Sequence, residues 1–111
     1  NAELINYVHY DNNYENAFWR SSVKAMFYGD GDLYCDILTS LDIVSHEIGH
    51  AISEYSANLV YQDESGAIDE SLSDIWAASV EERATYGKDT WLIAEDIGCT
   101  KPISVALKEC I

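Results

Sequence analysis

The spacing of apolar residues divides the chain into a part that predicts strands and a part that predicts helices. From Ile5 to Tyr10 and again from Ala17 to Tyr28, aromatic and β-branched residues are frequent, which is typical of short strands. The turn-prone residues 11–13 separate the two runs, and the Gly-Asp-Gly-Asp sequence at 29–32 ends the second one. We therefore expect short antiparallel strands in this region.

Two helices are expected to follow. The segment 39–42 resembles a capping box, which predicts that the first helix begins there. Apolar residues at helical spacing predict its buried face, formed by Val44, Ile48, Ala51, Ile52 and Tyr55. The second helix is expected to run from Gly66 to about Arg83, with a buried face formed by Leu72, Ile75, Trp76 and Val80. The predicted fold class is α+β, with short antiparallel strands packed on two helices.

The composition limits the kind of partner that the chain can bind. Its 111 residues suffice for one domain, and they include 6 basic and 20 acidic side chains for a net charge of −14. This shortage of basic residues argues against nucleic acid or anionic lipid as a partner. No apolar run reaches the roughly 18 to 20 residues of a membrane span, and no signal sequence is found from Asn1 onward. The excess of carboxylates suits divalent cations.

The first predicted helix contains the sequence His46-Glu47-Ile48-Gly49-His50. At about 3.6 residues per turn the two histidines lie on one face, so both can bind one metal ion, and Glu47 lies beside it. This pentapeptide alone is only moderately specific, because the same spacing can occur on any solvated amphipathic helix.

Glu70, on the second predicted helix, supplies a third metal ligand. Two histidines and one carboxylate leave one tetrahedral position for water, which is typical of a catalytic zinc site. Asp74, four residues later on the same face, can accept the free ring N–H of a metal-bound histidine. With Glu47 as the general base, these residues predict amide hydrolysis by attack of a zinc-bound water.

Acidic residues at helical spacing also predict a calcium site. Glu81 lies eleven residues after Glu70, on almost the same face, and Asp42 lies one turn before His46. If the two helices are antiparallel, Asp42 and Glu81 converge and Asp89 is within reach. Carboxylates held so close repel one another unless a cation such as calcium binds them. The alternative is three scattered surface acids.

Three cysteines, Cys35, Cys99 and Cys110, leave the redox state open. A disulfide between Cys99 and Cys110 would close a short loop and would fit an oxidising compartment, with Cys35 unpaired. Buried free thiols are an equally good alternative.

Several motifs, taken in order along the chain, resemble the thermolysin family of zinc metalloendopeptidases and cover nearly the whole sequence. They are Asn16-Ala17-Phe18-Trp19, residues 28–32, the His46–His50 pentapeptide, residues 61–70, Ser73-Asp74 and the weaker match at residues 91–96. The resemblance implies that His46, His50 and Glu70 are the zinc ligands, that Glu47 is the base and that Asp74 orients a zinc-bound histidine.

The resemblance also implies substrate and calcium contacts. Asn16 and Ala17 would lie on the edge strand that binds the substrate backbone, and Tyr61 would help to bind the polarised carbonyl. From the sequence alone these three are a pair of strand residues and a buried aromatic. The positions that match calcium ligands of the family are Asp42, Glu81 and, less closely, Asp89 and Glu95.

Members of this family continue into a mainly helical domain that supplies a histidine and an arginine to the transition state, and neither is found here. We therefore expect residues 1–111 to form a single partial catalytic domain without the C-terminal helical domain. Within it, residues 1–34 would hold the strands and the substrate edge, and residues 35–111 the zinc-binding helices and the tail. Losing one oxyanion donor typically costs roughly 100- to 1000-fold in turnover, so such a fragment would be weakly active.

The sequence is compatible with two candidate functions. The first is a secreted neutral endopeptidase that cleaves peptide or protein substrates, by resemblance on the N-terminal side of bulky hydrophobic residues, with the remainder of the parent enzyme as a candidate partner. The second is an inactive or weakly active fragment that binds zinc and calcium. A metzincin protease is excluded because Ser53 and Ser56 stand where that class needs glycine and histidine. One-domain aminopeptidases rank low, because their third ligand lies one residue closer.

Overall fold

The computed structural model describes residues 3–84, 87 and 89–98. Three short strands are followed by two helices, namely β1 (Ile5–Tyr7), β2 (Ala17–Arg20), β3 (Ala25–Tyr28), α1 (Leu41–Ser56) and α2 (Asp63–Ala84). The predicted α+β class is confirmed. No helix in the described part of the chain combines the length and hydrophobicity needed to cross a bilayer. The predicted pairing of Cys99 with Cys110 lies outside the described residues.

The three strands form one sheet in the order β1-β3-β2. β2 and β3 are antiparallel and are joined by a turn at residues 21–24, in which Lys24 has a positive φ of 52°. β1 and β3 are parallel. The expectation of antiparallel strands therefore holds for β2 and β3 and is corrected for β1 and β3. The chain does reverse between β1 and β2, but β3 inserts between them.

α1 begins at the predicted position, but its contacts differ from those of a capping box. Ser40 is the N-cap residue, and its side chain makes no capping bond to the backbone. Its hydroxyl donates instead to the Asp42 Oδ1 at 2.5 Å. The Ser40 carbonyl accepts the Val44 amide at 3.0 Å. Asp42 lies in the first turn, where the helix dipole favours an acidic residue.

The predicted apolar face of α1 is only partly buried. Val44 and Ile48 pack against the core and Ala51 is buried, as expected. Ile52 and Tyr55, near the end of the helix, are exposed. The core packs on the beginning of α1, whereas near its end the Trp19 ring of β2 meets the edge of the Tyr55 ring without burying it.

The predicted buried face of α2 is wrong. Leu72, Ile75 and Trp76 are all more than 40% exposed. The side that packs on α1 carries small and polar residues, which are Gly66, Asp69, Ser73, Ala77, Ala78 and Glu81. The reason is the close approach of the two helices, since a Cβ atom at Gly49 would lie 2.8 Å from the Ser73 Cα. Only small side chains fit such a contact.

The hydrophobic core lies between the sheet, the first turns of α1 and the segment 93–97. Its buried members are Ala17, Met26, Tyr28, Cys35, Leu38, Ile43, Ala94 and Ile97. The Asp42 carboxylate accepts the backbone amide of Ala94 and so attaches this segment to α1. Cys35 is disulfide-bonded, which corrects the expectation that it is unpaired.

Candidate metal centre and cleft

α1 and α2 bring three metal-binding side chains to one point. The Nε2 of His46 lies 3.1 Å from the Oε2 of Glu70, and the Nε2 of His50 lies 3.5 Å from the Oε1 of Glu70. Ligand atoms from all three residues lie within 4.8 Å of one another. Ligands about 2.1 Å from a tetrahedral zinc ion are about 3.4 Å apart. The three donors therefore fit a single ion of this size.

A carboxylate contacts the second ring nitrogen of each histidine. The Nδ1 of His46 lies 2.9 Å from the Asp74 Oδ1, as predicted, and the Nδ1 of His50 lies 2.8 Å from the Asp69 Oδ2. When Nε2 is free to bind a metal, Nδ1 carries the proton and donates a hydrogen bond to the carboxylate. Asp69 was not predicted. The available signal was its spacing of four residues from Ser73, which places both on the face of α2 that meets α1.

His46 and Glu70 form an ion pair when no metal separates them. Burial lowers the pKa of His46, but hydrogen bonds to Asp74 and Glu70 outweigh it and raise that pKa to about 10. The hydrogen bond from His46 lowers the pKa of Glu70, burial raises it, and a further bond from the Tyr61 hydroxyl brings it to about 2. A metal ion must displace the proton of His46, so metal binding is linked to pH.

Glu47 lies beside the metal donors in the wall of the cleft. Its side chain is buried, and burial raises its pKa although the neighbouring histidines His46 and His50 lower it. The backbone amide of Trp19, on β2, also hydrogen-bonds to this carboxylate. A carboxyl group with a raised pKa accepts protons effectively near neutral pH, which suits a general base.

A cleft of about 680 Å³ is bounded by β2, α1, α2 and the segment 93–97. Within the described sheet β2 pairs only with β3, so its other edge is open. The amide of Gly29 donates to the carbonyl of Asn16 at 3.0 Å, and alternation along an antiparallel pair then directs the backbone groups of Ala17 and Trp19 to the open edge. Asn16 and Ala17 both line the cleft.

Tyr61 also lines the cleft, and its hydroxyl donates to the Oε1 of Glu70. The ring is 60% exposed, so it is not the buried aromatic that the sequence alone favours. Burial of the hydroxyl and its bond to Glu70 raise the pKa of Tyr61, so this hydroxyl remains a donor at neutral pH.

A second group of carboxylates lies at the far end of α2. Glu81, Glu95 and Asp96 offer ligand atoms within 4.8 Å of one another. Both carboxylate oxygens of Glu95 are buried and accept no hydrogen bond from the described residues. Two of the four acids predicted for calcium, Glu81 and Glu95, are thus brought together, and Asp96 was missed.

Asp42 and Asp89, the other two acids predicted for calcium, lie outside this group of carboxylates. The Asp42 oxygens accept from the Ser40 hydroxyl and the backbone amides of Ile43 and Ala94. Asp89 is exposed, and its Oδ1 accepts the backbone amide of Trp91 at 3.3 Å. Each aspartate therefore accepts at least one backbone hydrogen bond outside this group.

Two family models match almost the whole chain. Residues 1–54 match the thermolysin metallopeptidase catalytic domain, and residues 57–109 match the thermolysin metallopeptidase alpha-helical domain. The two matches meet at the C-terminal end of α1. The expected division at residues 34 and 35 and the expected absence of the helical domain stay predictions.

Several known proteins are similar to this chain. A bacillolysin from Bacillus caldolyticus and a thermolysin from Alicyclobacillus acidocaldarius subsp. acidocaldarius are each 48% identical to it over 97 residues, which are 87% of this chain and 18% of theirs. The chain thus spans less than a fifth of the length of these relatives. A solved structure, the precursor of protealysin, a metalloproteinase from Serratia proteamaculans, is 38% identical with a TM-score of 0.65, over 72% of this chain and 25% of that one.

Proposed function

The chain belongs to the thermolysin family of metallopeptidases, and from this membership we propose that it forms the zinc centre of a neutral endopeptidase that cleaves internal peptide bonds. The observation that carries the proposal is the convergence of His46, His50 and Glu70 on one point. These three side chains would hold the zinc ion. When bound, zinc polarises a carbonyl group and makes water more acidic.

Glu47 would be the general base. Its buried carboxylate lies beside the metal donors and faces the cleft, where it can take a proton from the attacking water and pass it to the leaving amine. Asp74 would orient His46 through the 2.9 Å contact at Nδ1.

The open edge of β2 would bind the substrate backbone by β-strand addition. The Ala17 amide donates to the Oδ1 of Asn16 at 2.7 Å, which leaves the Ala17 carbonyl to accept from a substrate amide. Tyr61 lies across the cleft, and its hydroxyl would donate a hydrogen bond to the substrate carbonyl oxygen as that oxygen gains negative charge.

One end of the cleft supports a preference for a bulky hydrophobic residue directly after the scissile bond. Apolar side chains line this end, which are Leu38, Ile43, Ile93 and Ile97. Burial of a large aliphatic or aromatic side chain there would stabilise the complex by roughly 1.5–3 kcal/mol.

We also propose a structural calcium ion at Glu81, Glu95 and Asp96. Three neighbouring carboxylates support it, and so do the buried Glu95 oxygens, which accept no hydrogen bond from the part of the chain that the structure describes. Calcium prefers several oxygen ligands and neutralises their repulsion. Asp42 would act on this site by fixing the backbone next to Glu95, and Asp89 remains a candidate ligand from the sequence match.

Secretion fits this function. The disulfide at Cys35 is typical of proteins in oxidising compartments. The substrate would be a peptide or a protein.

The second candidate function is that of a weakly active fragment that binds zinc and calcium. The observation that favours it is that no arginine, and no histidine besides His46 and His50, lines the cleft in the part of the chain that the structure describes. The remainder of a parent enzyme would then have to supply the missing oxyanion donor.

Hydrolysis of a blocked peptide tests the proposal, using the zinc-loaded chain and the full-length parent. Glu47→Gln is expected to lower turnover by about 100-fold or more without loss of zinc, because it removes the proton acceptor and leaves the ligands in place. Glu64→Gln, an exposed acid away from the cleft, is the control. Activity that survives Glu47→Gln would refute the mechanism, and a parent that is active where the chain is not would favour the fragment.

A further inference from the structure

Glu54 lies at one end of the cleft. The opposite end is the apolar pocket, which is lined by Leu38, Ile43, Ile93 and Ile97. Ile43 and Glu54 both line the cleft and both belong to α1, and eleven residues at about 1.5 Å each separate them by about 16 Å. β2 runs alongside α1 in the same direction, since Ala17 shares the core cluster with Ile43 whereas the Trp19 indole bonds to Glu54. The metal donors lie between the two ends.

The Glu54 carboxylate is held in place by two donors from the sheet. Its Oε2 accepts the Ser21 hydroxyl at 2.5 Å and the Trp19 Nε1–H at 2.6 Å. These hydrogen bonds lower the pKa of Glu54, so it is ionised at neutral pH. Both bonds go to Oε2, so Oε1 has the capacity to accept a further hydrogen bond.

Acidic groups dominate the cleft, and no lysine or arginine lines it among the described residues. Four of its six carboxylates belong to the metal centre, namely Glu47, Asp69, Glu70 and Asp74. Of the other two, Glu15 accepts the backbone amide of Tyr34 at 2.7 Å, and Glu54 lies at the far end of β2. Lys24 is near Glu54, but its Nζ lies over the Tyr55 ring, outside the lining of the cleft.

We propose that Glu54 selects substrates that carry lysine or arginine two or three residues before the scissile bond. The proposal rests on the proposed function, because the apolar pocket is taken to hold the residue after that bond. Six residues of α1, or about 9 Å, separate the midpoint of His46 and His50 from Glu54. An extended peptide advances about 3.3 Å per residue, so its second or third residue upstream lies near this carboxylate.

Peptide binding tests this selection without requiring turnover. Three fluorescent peptides differ only at the second and third positions before the bond, which are both Lys, both Gln or both Glu. Their affinities are measured with zinc-loaded Glu47→Gln protein and with the same protein carrying Glu54→Gln or, as the charge-matched control, Glu64→Gln. Gln at position 54 keeps an oxygen for Trp19 and Ser21 and removes the charge.

The lysine peptide is expected to bind about fivefold more tightly than the glutamine peptide, and the glutamate peptide more weakly still. Glu54→Gln should abolish these differences in affinity, whereas Glu64→Gln should preserve them. Added salt should make the differences smaller, because it screens the charges. Equal binding of the three peptides, an unchanged order after Glu54→Gln, or no measurable binding would overturn the proposal.

Cleavage by the wild-type chain separates this inference from the proposed function. If all three peptides are cleaved at equal kcat/KM, the endopeptidase stands and the selection by Glu54 fails. If none is cleaved but binding still follows the charge at position 54, the selection stands and the proposed activity of this chain fails.

Discussion

At the scale of single residues, Asp69 makes the environment of His50 resemble that of His46. Its side chain is buried, its Oδ2 contacts His50 Nδ1, and its Oδ1 accepts no hydrogen bond from the described residues. A buried carboxylate with so few donors is stabilised mainly by the charge of its histidine and of a bound metal.

Asp69→Asn is therefore expected to weaken zinc binding by about tenfold or more, because the amide keeps the shape and loses the charge. Competition with a chromophoric chelator measures this, and Asp74→Asn should give a loss of similar size at His46. Asp63→Asn, at the exposed start of the same helix, is the control. Unchanged affinity after Asp69→Asn would contradict a role in orienting the ligand.

The ion pair of His46 and Glu70 predicts how the stability of metal-free protein depends on pH. The pKa of His46 is raised from 6.5 to about 10, so its contribution is complete below pH 6.5 and is lost as the pH rises through 10. The pKa of Glu70 is lowered from 4.5 to about 2, so its contribution is complete above pH 4.5 and is lost as the pH falls through 2.

We expect the contribution of this ion pair to the free energy of unfolding of the chelator-treated protein to be highest at pH 4.5–6.5. Urea denaturation at a series of pH values measures it. In His46→Gln the decline between pH 6.5 and 10 should become shallower. A decline of the same slope in that variant would show that other groups cause it.

The residues of the site differ in how far the sequence could predict them. His46 and His50 follow from spacing alone, because positions four apart share a face in any α-helix. Glu70 was assigned from its place on the second predicted helix, four residues before Asp74, and the match of residues 61–70 to the family agreed with that assignment. Asp69 and Asp96 were missed because their roles depend on how α2 is rotated against α1 and on where the segment 93–97 packs, and neither is fixed by local periodicity.

At the scale of elements, the contact between α1 and α2 explains why the buried face of α2 was predicted wrongly. Apolar periodicity identifies the face with the largest hydrophobic side chains, whereas close helix packing requires small ones. Gly49 and Ser73 make that close approach. The exposed apolar residues Leu72, Ile75 and Trp76 therefore lie on the side of α2 away from the metal centre.

Gly49→Ala is expected to destabilise the protein by about 1–3 kcal/mol and to weaken zinc binding, because the new methyl group would push α2, with Glu70, away from the histidines. Thermal denaturation and zinc titration measure the two effects. Gly66→Ala is the matched control, since its Cβ would lie 3.5 Å from its nearest neighbour, an ordinary contact. Equal stability of the two variants would refute the close packing.

At the scale of the whole molecule, whose net charge is −14, acidic side chains come together at two places that a cation can neutralise. One is the metal centre between the middle of α1 and the first half of α2. The other is the group of Glu81, Glu95 and Asp96, which joins the end of α2 to the segment 93–97. This segment also lines the apolar end of the cleft, so its position affects both stability and substrate binding.

The calcium proposal therefore predicts two effects of opposite sign at Glu95. In a zinc-saturated buffer, calcium at a hundred times its Kd should stabilise the wild type by about 2.7 kcal/mol, because it binds only the folded state. Glu95→Gln should lose most of this gain. Without calcium the same variant should melt above the wild type, because one of three repelling charges is gone.

Thermal denaturation across a calcium series measures both effects, and Glu82→Gln, which removes an exposed charge next to Glu81, is the control. Three scattered surface acids would give small shifts of one sign in both variants, because an exposed charge changes stability little whether or not calcium is present. A crossing of the wild-type and Glu95→Gln melting curves as calcium rises, absent in the control, can arise only if these carboxylates share an ion in the folded chain.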